Sequence, residues 1–519
     1  LYGDILLNTP FRVLSLILIA VGIFFRFYGL DHLPGINGDE AWYGVKAVQW
    51  VHFNLPTLYS GSGILLNPFY FLPLSLLHVF FEPSFFLLRS VALFSGISAL
   101  FFAFFLFKKI WGTEKAFLLT LLFSSGPIPI LYSKIGWDTS QTFLISIISF
   151  YFAEKRQTLF LVLCLVVAIL IHPTNLFLSF YLLAPFLNQA ILHGKLTGPI
   201  KNFIPYLNFI GQGLILFSVA GLTFFLLRHS SIFINEHTPD LLINLSAFSK
   251  VNVLKYSSET LVRFLAGITA YDYLFTKPLA FVVYIHLFML SIFGGLLIYA
   301  TIKSPKEMIS RASLFSLSIV VFFILGGPLK LAPGWERYGL WLLATFYFLL
   351  ITINDNPKLR MIFRSIVIGY SCIALMLFYH QFYSQSSISN FDKKPTFWTG
   401  KSSIKKEAAI QIKNYSRSSK LIYTPDWWTY WPIKYLFAKS DNVAVTILNQ
   451  PWDLRFGADF NVNREEAYSA IFYLTYEGSL LADRIVELKL MDSVVPIFGY
   501  GTNQPLYLIF VRNQSQGLK

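Results

Sequence analysis

Long apolar runs recur through the first 380 residues of this chain, and they constrain its fold more than any other feature. A helix of about 17–25 apolar residues spans the hydrocarbon core of a bilayer. The stretches 12–30, 87–107, 116–132, 139–153, 158–171, 176–192, 206–227, 279–302, 312–329, 338–354 and 361–380 read as such spans. Composition agrees: of 519 residues, 55% are hydrophobic, 18% aromatic and only 13% charged. A soluble domain carries about a quarter charged residues. Soluble globular, disordered and ordinary nucleic-acid-binding chains are therefore excluded, and a polytopic membrane protein is expected. The first apolar stretch has no small-residue cleavage site after it, so it reads as a span and not as a leader. Cys164 and Cys372 both fall in apolar stretches and form neither a disulfide framework nor a zinc pattern.

The net charge of +14 reads as topology. Lys108, Lys109 and Lys115 share one short loop. Lys155 and Arg156, then Lys195 and Lys201, then Lys303, Lys306 and Arg311, then Lys358 and Arg360 occupy every second loop after it. Short basic loops face the cytoplasm. The intervening segments 31–64, 133–138, 172–175, 228–278 and 330–337 are then external, as is everything after about 381. This phase allows one crossing between 64 and 108. The stretch 65–81 is short and interrupted by Pro68 and Pro73, so it is assigned as re-entrant or interfacial and 87–107 as the crossing. An external N-terminus with twelve crossings is the alternative. The fold expected is a polytopic α-helical bundle of about 11–13 spans over residues 1–380. A small external α/β domain follows over 381–519, with strands at 420–424, 443–448, 470–476 and 506–511.

Few charged residues remain on the external side. Asp39 and Glu40 directly follow the first span and open an expected amphipathic helix running to Val51. Asp39 reads either as the cap of that helix or as a reactive carboxylate. Asp138, in Ser133-Lys134-Ile135-Gly136-Trp137-Asp138, reads as a helix cap or as a second acid. Arg337, beside Trp335 and Tyr338, reads as a snorkelling anchor or as a phosphate-binding cation. His172 opens another external turn and is a hydrogen-bonding residue or part of a site wall. The cluster Trp427, Trp428, Tyr430 and Trp431 either packs the C-terminal domain onto the bundle or stacks on sugars. The 228–278 loop is long enough to cover a site. Its His237, with Asp39 and Glu40, is a candidate metal ligand for Mg2+ or Mn2+.

A first span, an acidic pair, an aromatic-Tyr and an amphipathic helix, in that order, resemble the GT-C glycosyltransferases. Within them the resemblance is to the protein mannosyltransferase and aminoarabinose transferase group. That group's Asp-Glu-x-Arg-Tyr reads here Asp39-Glu40-Ala41-Trp42-Tyr43, with Trp42 in place of Arg. Its Lys-Pro-Pro is replaced by Asn67-Pro68-Phe69. Arg89 resembles the group's arginine at the head of the next crossing, Ser133–Asp138 its second acid, and Glu336-Arg337-Tyr338 its late Arg-Tyr motif. The resemblance implies an inverting enzyme at the periplasmic face of the inner membrane. It would move a sugar from a polyprenyl-phosphate donor to a protein, lipid or glycan acceptor. Asp39, Glu40 and Asp138 would be catalytic. Arg337, Arg89, Lys134 and Arg263 would bind the donor phosphate, and Trp42, Tyr43, Tyr338 and His172 would line the substrate. No nucleic-acid partner is expected. The competing readings are a lipid-linked glycan flippase and an O-antigen-type ligase or polymerase. A flippase is expected to carry mid-span polar residues and repeats, and neither is found.

Overall fold

The computed structural model describes residues 2–31, 33–51, 66–186, 259–272, 279–303, 311–320, 336–384, 410–412, 421–424, 427–440, 443–447, 470–475, 493–498 and 505–511. The expected span 206–227 and the second half of 312–329 lie outside the described residues, as does His237. Among the described residues, five helices are long and apolar enough to cross a membrane. Together with many exposed apolar side chains on them, they make the chain an integral membrane protein.

Helix α1 (Tyr2–Phe27) packs on α4 (Phe85–Ser125). Two separate spans were expected within α4, and the chain does reverse there. Gly112 breaks the helix with φ +82, a conformation that suits glycine. The two arms lie side by side, with Phe104 and Phe117 centroids 4.8 Å apart. Helices α5 (Pro127–Tyr132), α6 (Thr142–Glu154) and α7 (Thr158–Ile171) follow. At the centre sits the helix Leu340–Ile351, every residue of which is buried. Its Phe348 stacks on Phe150 at 3.7 Å. The helix Pro357–Tyr379 closes that side, and the chain continues as a wider turn through Ser384. Tyr383 there donates to the Phe25 carbonyl, 3.0 Å away.

The described basic loops gather at one end of the central helix. Glu114 pairs with Arg364 and accepts from Asn354, Lys115 pairs with Asp355, and Arg311 pairs with Glu154 at 2.7 Å. The opposite end, about 18 Å away along a 12-residue helix, carries α2 (Gly38–Val51) and α3 (Pro68–Phe80). Helix α2 runs as expected. Helix α3 has 13 residues, about 20 Å of length, too short for a crossing of about 30 Å. Its Leu72, Leu76, Val79 and Phe80 are exposed and apolar, whereas Tyr70, Phe71 and Leu74 are buried.

The C-terminal residues form a five-stranded sheet of order β2-β1-β3-β5-β4, with strands Leu421–Thr424, Ala444–Ile447, Ala470–Thr475, Ser493–Phe498 and Pro505–Val511 as β1 to β5. β1 runs parallel to β2 and β3, and β5 antiparallel to β3 and β4. β4 was not foreseen from the sequence. Pro496 sits in it, and proline is tolerated there because β4 is an edge strand. The expected aromatic cluster is a helix, Trp427–Leu436, that rests on α2. Tyr435 is its buried anchor: its ring packs beside Gly44 and Phe85, and its hydroxyl reaches the Ser84 carbonyl at 3.1 Å.

Candidate active site

The site is built on the start of α2. Asn37 and Glu40 form a reciprocal capping box: Glu40 N donates to Asn37 Oδ1 at 2.9 Å, and Asn37 N to Glu40 Oε1 at 3.0 Å. The cap is therefore Asn37. This leaves the Asp39 carboxylate for another partner, and Arg337 Nη1 lies 3.1 Å from its Oδ2. Both side chains keep some solvent access, 27% for Asp39 and 20% for Arg337, so an incoming ligand can reach them.

Arg337 is framed by aromatic faces. Its guanidinium lies 4.8 Å from the centre of the Trp137 ring and 5.1 Å from that of Tyr338, and Nη2 donates to the Tyr338 hydroxyl at 3.2 Å. The His172 ring lies over Tyr338 at 4.7 Å. Its Nδ1 is engaged with Thr174, 2.7 Å from Oγ1. Asp138 completes the group. Burial raises its pKa above the usual carboxylate range, while Arg337, the Tyr43 hydroxyl and the Thr139 backbone N–H oppose the rise. Burial, and then the neighbouring Asp138, raise the Tyr43 phenol well above its usual value, so Tyr43 is a hydrogen-bond donor to Asp138. Two carboxylates thus flank one arginine.

Behind this group lies a buried clamp. Arg89 donates from Nε to Glu40 Oε2 (3.0 Å) and from Nη2 to Glu40 Oε1 (2.6 Å). It also donates from Nη1 to the carbonyls of Leu30 and Pro34 and from Nη2 to that of Gly35. Every N–H of the guanidinium is used. Glu40 also accepts from Gly136 N at 2.8 Å. A side chain at Gly136 would meet the Tyr70 hydroxyl at 2.7 Å. The pair ties α4, the turn before α2 and the loop that carries Trp137 and Asp138. Of the expected site residues, Glu40 and Arg89 are thus engaged with each other and not directed at Arg337.

Lys134 is buried behind the same loop. It donates to the Tyr28 carbonyl, and burial holds its ammonium well below its usual pKa. Trp42 turns from the site toward Trp431, 6.4 Å away. Arg263 lies half-buried on the segment 259–272, which packs on α5. Asn67, where the resembled group has lysine, caps α3 and holds the Asp138 carbonyl at 2.9 Å and Gln141 at 2.8 Å. Asn37, Trp137 and Asn67 were not singled out as site residues. The Asn-x-x-Glu spacing at 37–40 was a legible capping signal; the other two carry none. Among the described residues, no group of three or more His, Cys, Asp or Glu is placed to hold a metal. Glu40, one expected ligand, already accepts from Arg89, Asn37 and Gly136, so it is not available to a cation.

The fold, a helical membrane bundle with an appended α/β domain, is shared with solved structures. The crystal structure of ArnT from Cupriavidus metallidurans bound to undecaprenyl phosphate matches over 96% of this chain and 98% of that one. The sequence identity is 12% and the TM-score 0.54. The same protein in the apo state matches over 95% and 97%, at 12% identity and a TM-score of 0.42. No protein-family model and no curated protein matches the sequence.

Proposed function

We propose that the protein is an inverting glycosyltransferase that takes its sugar from a polyprenyl-phosphate donor. The observation that carries this reading is the Asp39–Arg337 pair, flanked by Asp138 and walled by Trp137, Tyr338 and His172, at one end of a GT-C bundle. The fold is shared with a protein whose crystal structure holds undecaprenyl phosphate, and Arg337 offers a cation suited to a donor phosphate.

The acceptor hydroxyl oxygen attacks the anomeric carbon from the face opposite the phosphate. The bond between that carbon and the phosphate oxygen breaks, with inversion. The hydroxyl proton passes to the Asp39 carboxylate. The polyprenyl phosphate leaves carrying the electron pair of the broken bond, and the Arg337 guanidinium stabilises that charge. Before the donor arrives, Arg337 is held by Asp39. Donor phosphate competes for the arginine and frees the carboxylate to act as base. Asp138, hydrogen-bonded by Tyr43, orients the acceptor. The exposed apolar helix faces give the polyprenyl tail a place in the bilayer. The basic loops at the far end of the central helix support a cytoplasmic assignment for that end. The site and the C-terminal domain then lie on the periplasmic side.

The test is transfer by purified protein from a panel of radiolabelled polyprenyl-phosphate sugars, wild type against Asp39→Asn. Release of polyprenyl phosphate that depends on Asp39 supports the reading. Translocation of intact donor without release refutes it in favour of a flippase.

A further inference from the structure

Two lysines and three aromatic rings meet where the helix Trp427–Leu436 rests on α2, and the transfer chemistry above uses none of them. Lys46 Nζ lies 5.7 Å from the centre of the Trp42 ring. Trp42 stands edge-on to Trp431 at 6.4 Å and 81°. Lys434 Nζ lies 5.4 Å from the Trp431 ring and 4.8 Å from that of Tyr430, and it donates to the Tyr430 hydroxyl. Both lysines are half-buried. Among the described residues neither has a carboxylate partner, whereas Lys115, Arg89, Arg311, Arg337, Arg364 and Lys439 all do. Burial, and then the positive charge of Lys434, hold the Lys46 ammonium below its usual pKa. Two like charges converge here on a wall of ring faces, with no described carboxylate to neutralise them.

The patch is in register with the reacting group. Asp39, Tyr43 and Lys46 follow at i, i+4 and i+7 on α2, which places them on one helix face. Seven residues of rise put Lys46 about 10 Å from Asp39 along the axis. That is roughly the length of one or two sugar units.

We infer that Lys46 and Lys434, with Trp42, Tyr430 and Trp431, bind an anionic carbohydrate. The anion would be a carboxylate or phosphate substituent of the acceptor glycan, held about 10 Å from the hydroxyl that Asp39 deprotonates. The ammonium groups supply the charge complement and the rings the apolar faces on which pyranoses pack. The word acceptor rests on the transferase reading; the binding site itself does not.

Binding is read without turnover, on the full chain in phosphatidylcholine nanodiscs. Tetragalacturonate is titrated against maltotetraose, following tryptophan fluorescence and calorimetric heat. Tetragalacturonate is expected to bind at least about tenfold more tightly and to weaken as salt rises. The Lys46→Gln, Lys434→Gln double variant is expected to lose about tenfold in affinity, and the corresponding double Arg variant to stay within about threefold of wild type. Equal affinity for the two probes, binding of neither, or binding indifferent to the double Gln variant overturns the inference. So does displacement of tetragalacturonate by phosphatidylglycerol in the disc with the same lysine dependence, which would make the patch a lipid head-group site. Asp39→Asn keeps the binding. Retained transfer in Asp39→Asn with intact binding therefore speaks against the catalytic reading alone, and wild-type transfer without tetragalacturonate binding against this site alone.

Discussion

Arg89→Ala separates a structural arginine from a substrate-binding one. The side chain is fully buried, as is Glu40. The substitution removes all five of its hydrogen bonds. It strands the Glu40 carboxylate with only the backbone N–H groups of Asn37 and Gly136. Breaking one partner of a buried pair costs about 3–5 kcal/mol, because the other charge stays buried without its complement. The loss is local, since the clamp joins the turn before α2 to the loop at Ser133–Asp138. Opening of those two segments becomes roughly a hundredfold to a few thousandfold more frequent, at about 1.4 kcal/mol per tenfold. Hydrogen exchange by mass spectrometry reads this directly in peptides covering 33–51 and 133–141, with the helix Leu340–Ile351 as an internal control. The double variant Glu40→Gln, Arg89→Met, which removes both charges, is expected to regain much of the protection. If Arg89→Ala leaves exchange within about threefold and abolishes transfer, the clamp is not structural and Arg89 binds substrate.

Further outcomes follow from the same geometry. Asp39→Asn lowers turnover about 10²–10⁴-fold in a transfer assay while its exchange pattern stays that of wild type. Arg337→Ala lowers transfer about 10²–10³-fold by removing the cation that meets the leaving phosphate, and Arg337→Lys does not restore the paired-donor geometry. The ionised form of Asp138 is disfavoured by burial and favoured by the Tyr43 hydroxyl. Tyr43→Phe therefore raises the Asp138 pKa further, and the acidic limb of the pH–rate profile moves to higher pH; an unmoved or lower limb refutes the coupling. Gly44→Ala brings a methyl group to 2.5 Å from the Tyr435 ring and 2.8 Å from Leu88. Such overpacking costs about 1–3 kcal/mol and exposes the C-terminal domain to limited proteolysis.

Much of the architecture was legible because a bilayer imposes a length and a composition on every crossing. The apolar runs gave the helices, and α2 appears over the residues expected. The described basic loops converge on one end of the bundle. The strand Ser493–Phe498 and the helix Trp427–Leu436 escaped because neither has a bilayer to enforce a pattern. The strand is an edge that tolerates Pro496, and the helix carries Pro432 and a run of aromatics that reads equally as a surface cluster.

The sequence by itself determined that the chain spans a membrane, and it singled out the few charges away from the basic loops. It did so because hydropathy and charge are properties of residues, readable without a partner. Only the tertiary structure decided which charges meet. Asp39 and Glu40 are adjacent in the chain, yet successive residues on a helix point about 100° apart. One turns to Arg337, 298 positions away, and the other to Arg89, 49 positions away. That rotation divides a motif that reads as one acidic pair into a partly exposed group able to accept a proton and a buried one that holds the site's two loops together.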